Sequence, residues 1–551
     1  MPGGDGASAK RLVRFTFDGH DYEGVEGEPL AASLLAADRL TLSRSFRFHR
    51  PRGLMCSTGQ CGWCDCEVDG VPSVRSCRVP VRDGLVARGE HAWPSVECDL
   101  LSLVGLVSRW IPPTFYHHRF LRPRGLRKRY LDVLRWFGGR GRLAVGGRVP
   151  DRAGRPTRRI DTDVLVVGGG RAGLFAALGA AEAGGRVTVI EAEAGIGVGW
   201  RRPGDGAGRA IGTFDELAAA AEAAGVRLLG GVAAVGWYGG LVAAIAADAH
   251  LEIRSRAIVA ATGSYDRVPL VPGGDRPGVM AARTVIGLVE RFGIRPGDRA
   301  VLVGTGSEIM SAGEALTRAG ATELIGPIPT DALVSIGGGQ RVASAVIQAD
   351  GATRRLDVDL VIFGDRNPNL DLILAAGATV GRRDDVLVPT LDPSGRTSVA
   401  ALFAVGSAAG LPILDRTAAD AARATGRLAA AASAGRAAVE MPAGVMPAQP
   451  PPSETAGHSH PSGRVARGAI ICFCEDVRAW EIRTEVATGY ADPELVKRRT
   501  GALTGPCQGK YCLQSFACLV GDTTIPTARP PLRPVRLGDL IASEPGDPEA
   551  G

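Results

Sequence analysis

Eight of the eleven cysteines fall into two sets of four: Cys56, Cys61, Cys64 and Cys77 near one end, and Cys472, Cys474, Cys507 and Cys512 near the other. The first set is spaced C-x4-C-x2-C, with the fourth cysteine returning after twelve residues. Three thiolates on so tight a loop suit a [2Fe–2S] cluster. Gly59 and Gly62 supply the turn, because glycine tolerates the φ values it demands and lets amide N–H groups face the sulfides. Zinc sites favour paired C-x2-C units at longer separation. Disulfides are disfavoured in a chain whose start lacks the apolar stretch of a secretory signal. Cys66 and Cys98 stand outside the spacing and read as small buried apolar residues.

The second set runs C-x-C, then 32 residues, then C-x4-C. Two short pairs suit tetrahedral zinc as well as iron–sulfur, so spacing leaves both open. Cys518 is left over.

Between the sets lies "TDVLVVGGGRAG", a buried strand running into Gly168, Gly170 and Gly173. A small-residue helix and a second strand follow, and Glu191 stands 23 residues after Gly168. The first glycine makes the tight turn, the second lets a pyrophosphate approach the backbone, and the third lets helix and strand pack closely. The helix N-terminus faces the phosphates, and Glu191 can accept from a ribose hydroxyl pair. A lone GxGxxG is weak; one with strand, helix, second strand and terminal acid is specific.

Two later segments resemble those of two-dinucleotide flavoproteins: the loop at Thr262 and Gly263, and the late turn at Gly406 and Ser407 ahead of a long helix. In such proteins that turn usually ends in an acid; Ser407 can donate a hydrogen bond but brings no charge. FAD and an adenine nucleotide without a flavin ring both stay open.

A second fold of the same type is expected near 269–390. It has Gly304 and Gly306, but Ile309 stands where a third small residue belongs, and Ile325 and Gly326 stand where an acid would close the next strand. The branched side chain is expected to push the helix off the strand, leaving a domain kept for shape rather than for NADH.

These residues need a frame. "VRFTFDGHDYEGVEGEPLAASLLAADRL" reads as a β-hairpin and an amphipathic helix, the start of a β-grasp, ferredoxin-like module over 10–97. An extended, basic connecting arm (98–160) is expected next; it carries fifteen Arg or Lys between 109 and 159 against only Asp132 and Asp151. With no nucleic-acid module in view, and with aromatic and proline residues interleaved, the arm reads as a docking segment. The dinucleotide-binding core covers 161–440, a Pro/Ser-rich linker 441–465, and a helical module with a proline-rich surface tail 466–551. In that module Val477, Trp480, Ile482 and Val486 share one side of a helical pattern. The fold class is therefore multidomain α/β. Net charge is +6 and apolar content 45%. No apolar run is long enough for a transmembrane helix, and reduced thiols suit the cytoplasm. No nucleophile–base pair stands out; His117, His118, His458 and His460 read as surface or packing residues.

The chain resembles the α-subunit group of heteromeric sarcosine oxidases and their relatives, the opine, proline and hydroxyproline dehydrogenases and hydrogen cyanide synthase. "PRGLMCSTGQCGWCDCEVDG", "WPSVECDLLSLVGLVSRWIPPTFYHHRF" and "ICFCEDV…GYADPELVKRRTGALTGPCQGKYC…RPPLRPVRLGDL" carry the likeness, over nearly the whole chain. It implies a second [2Fe–2S] cluster at the C-terminal cysteines. It also implies an FAD-containing β-subunit of amine-oxidase type that oxidises the substrate, an FMN at the subunit interface, and onward delivery of electrons, peripherally to quinone among the routes. Sarcosine oxidase α-subunits tend to lack the C-terminal cysteines and to continue into a folate-binding domain. This chain keeps all four and ends at Gly551, which resembles the dehydrogenase branch more. In some relatives the ferredoxin-like module is a separate polypeptide. The competing readings are a stand-alone NAD(P)H-dependent iron–sulfur flavoprotein reductase and a scaffold with structural metal sites.

Overall fold

A computed structural model describes residues 11–111, 113, 124–138, 154–197, 213–383, 386–411, 415–435, 465–521, 525–526 and 528–541. The linker up to residue 464 lies outside the described residues, as do His117, His118, His458 and His460.

The chain divides into two compact units. The first gathers 1–149, 266–365 and 462–520; the second gathers 150–265, 366–461 and 521–551.

In the first unit, Leu12–Phe17 and His20–Val25 pair antiparallel through a turn at Asp18 and Gly19, and the helix Leu30–Ala36 follows. Alternating burial puts Val13, Phe15 and Phe17 on the core face. A parallel pairing with Leu85–Gly89, then Asp65–Val68 and Val71–Arg75, completes a five-stranded β-grasp sheet. The same unit holds a four-stranded parallel sheet in the order Val279–Ala281, Leu360–Phe363, Arg299–Val303, Glu323–Ile328. Its third part is the short ribbon Ile470–Cys472 with Val477–Arg478, and helices Ala479–Ala487, Pro493–Thr500 and Leu513–Val520. Val477 thus sits in a strand rather than on the expected helix face, and Ile482 is the buried anchor of the first helix.

Buried ion pairs tie these parts of the unit together. Arg47 pairs with Glu481 at 2.5 Å, Arg52 with Asp476 at 2.8 Å, and both Arg50 and Arg52 with Asp275 at 2.5 Å. Asp476 also accepts the backbone N–H groups of Arg47 and Phe48, each at 3.0 Å. Bidentate arginine contacts and added backbone donors are what a buried carboxylate needs to remain charged. The two guanidinium groups hold the Asp275 carboxyl well below the usual carboxylate range, against the opposing effect of burial.

Two stretches of the arm are helical rather than extended, a 3₁₀ run at Leu100–Trp110 and an α-helix at Arg124–Gly138, and its end already runs in the strand Thr157–Val167. Cys98 is exposed, contrary to the expectation of burial, because it sits in a turn whose N–H groups are met locally by Ser95 and Asp99.

The second unit is a seven-stranded sheet. Arg227–Leu229, Val187–Ile190, Thr157–Val167, His250–Ala260 and Leu402–Ala404 run parallel, with Leu241–Ile245 and Ala233–Tyr238 extending the first half of His250–Ala260 antiparallel. Helices Arg171–Glu182 and Arg416–Ser433 cross through two glycines. A Cβ on Gly179 would lie 1.9 Å from the Arg423 carbonyl oxygen, and one on Gly426 would lie 1.9 Å from that of Ala176. The tail groups with this unit rather than with the helical module: Leu532 is buried and bonds the Val235 carbonyl, and Asp539 pairs with Arg155.

Candidate functional site

In the first unit, all four N-terminal cysteines of the spacing are buried and meet. Cys56 hydrogen-bonds Cys61, and Cys64 hydrogen-bonds Cys77, while Cys64 and Cys77 each feel the charge of Cys56. The loop curls through Ser57, Gly59 and Gly62, at φ of +52°, +72° and +73°. This directs the Thr58 N–H onto the Cys56 sulfur at 3.5 Å and the Trp63 N–H onto the Cys61 sulfur at 3.4 Å. Burial pushes the Cys56 thiol up, but the bonds from Cys61 and Thr58 and the nearby Arg283 outweigh it and hold Cys56 well below the ordinary thiol range. Thiolate is the form that binds a metal. Cys66 points away and bonds the Val74 carbonyl at 3.6 Å.

The C-terminal four also converge. Cys507 bonds Cys474 and Cys512, and Cys512 bonds Cys472. The bonds from Cys474 and Cys512 lower the Cys507 thiol well below its usual range despite burial, helped by the buried Lys510. Gly505 has no room for a side chain, since a Cβ there would lie 2.2 Å from the Cβ of Cys474. Each set is thus four buried sulfurs with fixed amide donors, a donor set that fits a [2Fe–2S] cluster.

In the second unit, the flavin-type residues line one edge. Gly168 ends Thr157–Val167, Thr262 and Gly263 follow His250–Ala260, Gly406 follows Leu402–Ala404, and Glu191 follows Val187–Ile190. These are the carboxyl ends of four adjacent parallel strands, where open α/β sheets bind ligands. Gly168 has φ +115°, and a Cβ on Gly173 would lie 1.9 Å from the Gly168 carbonyl oxygen. The helix Arg171–Glu182 begins at Gly170 with no side-chain cap, so its first N–H groups face the edge. Glu191 accepts the Gly169 N–H at 2.8 Å and the Glu193 N–H at 2.9 Å, which fixes its carboxylate beside the turn. Thr262 donates to the Asn369 carbonyl at 3.1 Å, and Ser407 lies in the 3₁₀ turn Gly406–Ala409.

The second fingerprint, in the first unit, differs from expectation in two ways. Ile309 does not displace its helix; it is fully buried in the fold, because Gly364 opposite carries no side chain and a Cβ there would meet that of Ile309 at 2.8 Å. The next strand also runs past Gly326. Val303 pairs Ile328 as Val167 pairs Ile190, so the position of Glu191 is taken by Pro329. Asp365 lies against the turn instead, accepting from the Thr305 N–H at 3.4 Å and from the Thr330 hydroxyl at 2.5 Å.

Several neighbours of the cysteines escaped the sequence reading. Trp63 and Phe473 meet edge to face with ring centroids 5.0 Å apart. Half-buried Arg283, paired with Asp266, and buried Tyr511 lie within electrostatic reach of Cys56. The one available signal was adjacency: Trp63 precedes Cys64, and Phe473 lies between Cys472 and Cys474.

The fold and the paired thiolate sites define an iron–sulfur chain of the flavin-type oxidoreductase class, and comparison with known proteins agrees. Residues 10–92 match the 2Fe-2S iron-sulfur cluster binding domain, 162–325 the pyridine nucleotide-disulphide oxidoreductase family, and 470–520 the BFD-like [2Fe-2S] binding domain. The chain is similar to sarcosine oxidase alpha chains and to opine oxidase counterparts, the group that its motifs resemble. It is 29% identical to the sarcosine oxidase alpha chain of Rhizobium meliloti (strain 1021), over 97% of this chain and 58% of that protein. It is 22% identical to an opine oxidase chain of Agrobacterium tumefaciens (strain Ach5), over 52% of this chain and 70% of that one. The chain thus spans little more than half the length of the sarcosine oxidase relative. In fold it is similar to L-proline dehydrogenase from P. horikoshii, with a TM-score of 0.67 at 21% identity over 97% of this chain and 98% of that one. Among the described residues no helix is long and apolar enough to cross a membrane.

Proposed function

We propose that the chain is the electron-transferring iron–sulfur flavoprotein (α) subunit of a multisubunit FAD-linked dehydrogenase or oxidase acting on amino acids or secondary amines. The observation that carries this reading is the pair of buried four-cysteine sites in a chain that also bears a complete dinucleotide edge. When bound, a flavin accepts electrons in pairs and the clusters carry them singly. Cys56, Cys61, Cys64 and Cys77 would hold one cluster, and Cys472, Cys474, Cys507 and Cys512 the other. Gly168, Gly170 and Gly173 would admit the pyrophosphate of FAD, Glu191 would accept from its ribose, and Thr262, Gly263, Gly406 and Ser407 would line the flavin side. Oxidation of the CH–NH bond falls to an FAD-containing partner subunit of amine-oxidase type, with an FMN at the interface, in the cytoplasm. A stand-alone NAD(P)H reductase is disfavoured, because Pro329 stands where a ribose acceptor is needed and Asp365 puts a negative charge at the phosphate turn.

Anaerobic purification tests the reading. We expect about four irons and four sulfides per chain, from two two-iron clusters. Cys66→Ser, Cys98→Ser and Cys518→Ser should leave that content unchanged, while Cys507→Ser or Cys512→Ser should halve it. Amine-dependent dye reduction should appear only when the partner subunit is added. Zinc at the C-terminal cysteines, or rapid turnover of an amine or NADH by this chain alone, would sink the reading.

A further inference from the structure

The cluster sites lie some four hundred residues apart in sequence, one on each side of the flavin-type segment, yet they share the first unit. The contact between them is aromatic. Trp63 is bonded to Cys64, Phe473 is bonded to both Cys472 and Cys474, and their rings meet at 5.0 Å. Both side chains are buried, at 3% and 6% exposure, so the junction is packed and water is shut out. Tyr511, bonded to Cys512 and buried, lies within electrostatic reach of Cys56 and Cys61 of the other set. Arg75, paired with Asp65 at 2.6 Å, lies within reach of Cys61, Cys64 and Cys474. Residues covalently joined to one quartet therefore face the other, and one cation faces both.

We propose that Trp63 and Phe473 bridge the two cluster sites into one coupled pair, so that a single electron passes directly between them within the first unit, with Arg75 as the cation common to both. The proposal rests on the reading of both cysteine sets as [2Fe–2S] sites. Two physical consequences follow. Electronic coupling decays far more slowly through covalent bonds and touching rings than through a gap, and the route from Cys64 to Cys472 or Cys474 has only one non-bonded step. Low-dielectric surroundings also strengthen charge interactions, so an electron on one cluster makes the second harder to add. Arg75 leaves that repulsion as it is; its fixed charge favours the added electron at both sites alike. The step balances simply: one cluster loses the electron that the other gains, and no proton or bond changes.

The test uses the anaerobically purified full chain with its iron and sulfide measured first. Stepwise dithionite titration followed by low-temperature EPR should give a single unsplit signal at half reduction. At full reduction the spectrum should be broadened and split, with faster spin relaxation, because two spins then lie close together. A fully loaded, fully reduced protein whose spectrum is the plain sum of two isolated signals would overturn the proposal while leaving the functional reading intact. Zinc in the C-terminal set would overturn both. The bridge itself is read by pulse radiolysis, following one injected electron as it redistributes between clusters. Trp63→Leu with Phe473→Leu should slow redistribution at least tenfold with iron content and EPR splitting retained; an unchanged rate would remove the rings from the path. Should the double variant fail to load, Trp63→Phe, which keeps a ring, and Phe473→Leu alone supply the same contrast. Arg75→Gln should make both reduction steps more negative together, and a shift of one step alone, or of neither, would deny it the shared role.

Discussion

The chain builds the same strand–turn–helix twice and solves its tightest contact in two ways. In the first copy, Gly173 lets the helix sit against the carbonyl of Gly168, and no side chain fits between. In the second copy the bulk is on the helix, as Ile309, and the space is on the sheet side, at Gly364. Both helices pack, and the second turn keeps Gly304 and Gly306, so the difference lies in the helix contact and in the acids. The acids differ in the same sense. Glu191 ends the neighbouring strand in the first copy, whereas Pro329 ends it in the second and Asp365 occupies the turn. A dinucleotide fold can thus keep its core while its binding edge is rewritten, because packing needs only summed volume and binding needs particular groups at particular atoms.

That contrast can be broken most sharply at Gly173. Gly173→Val should abolish flavin retention, seen as loss of the yellow chromophore on purification, because a side chain there collides with backbone rather than with a movable side chain. Next in size is Ile309→Ala, which opens a cavity in the second copy and should cost about 2–5 kcal/mol of stability in the first unit. Thermal unfolding would show the loss, and flavin content should not change. Survival of flavin in Gly173→Val, or its loss in Ile309→Ala, would erase the distinction between the copies. Glu191→Ala should weaken nucleotide binding by about 1.5–3 kcal/mol, the usual worth of a hydrogen bond to a charged group, read by equilibrium dialysis of the reconstituted protein. The smallest effect expected is none at all: about 1 mM NADH, the upper end of ordinary Michaelis constants, should not bleach the chain within seconds.

The thiolate quartets and the first fingerprint were legible because their chemistry is local: spacing along the chain decides whether sulfurs or glycines can converge. Ile309 was misjudged because its compensation, Gly364, follows a strand that comes much later and pairs beside it only in the fold. The end of the following strand was misplaced for a related reason. Gly326-Pro327 reads as a stop, yet the pairing resumes beyond an irregularity and carries Ile328 into the sheet. The shared home of the two quartets, and the meeting of Trp63 with Phe473, left no mark of period or spacing. The arm was read as extended because its prolines and charges mask a helical stretch at Arg124–Gly138.

The buried ion pairs have a consequence for how the protein is made. Arg47 and Arg52 are synthesised some 430 residues before Asp476 and Glu481. Until the helical module follows, Arg47 has no carboxylate to enter with and Arg52 has only Asp275, and burying an unpaired charge is costly. The β-grasp module therefore cannot reach its final packing in the order of synthesis, although domains generally do so as they emerge. Cluster insertion at Cys56–Cys77 becomes a late event, tied to translation of the helical module. A fragment ending at residue 440 should be cut by protease within the 43–52 segment and should load iron poorly, and adding residues 462–521 as a separate polypeptide should protect that segment.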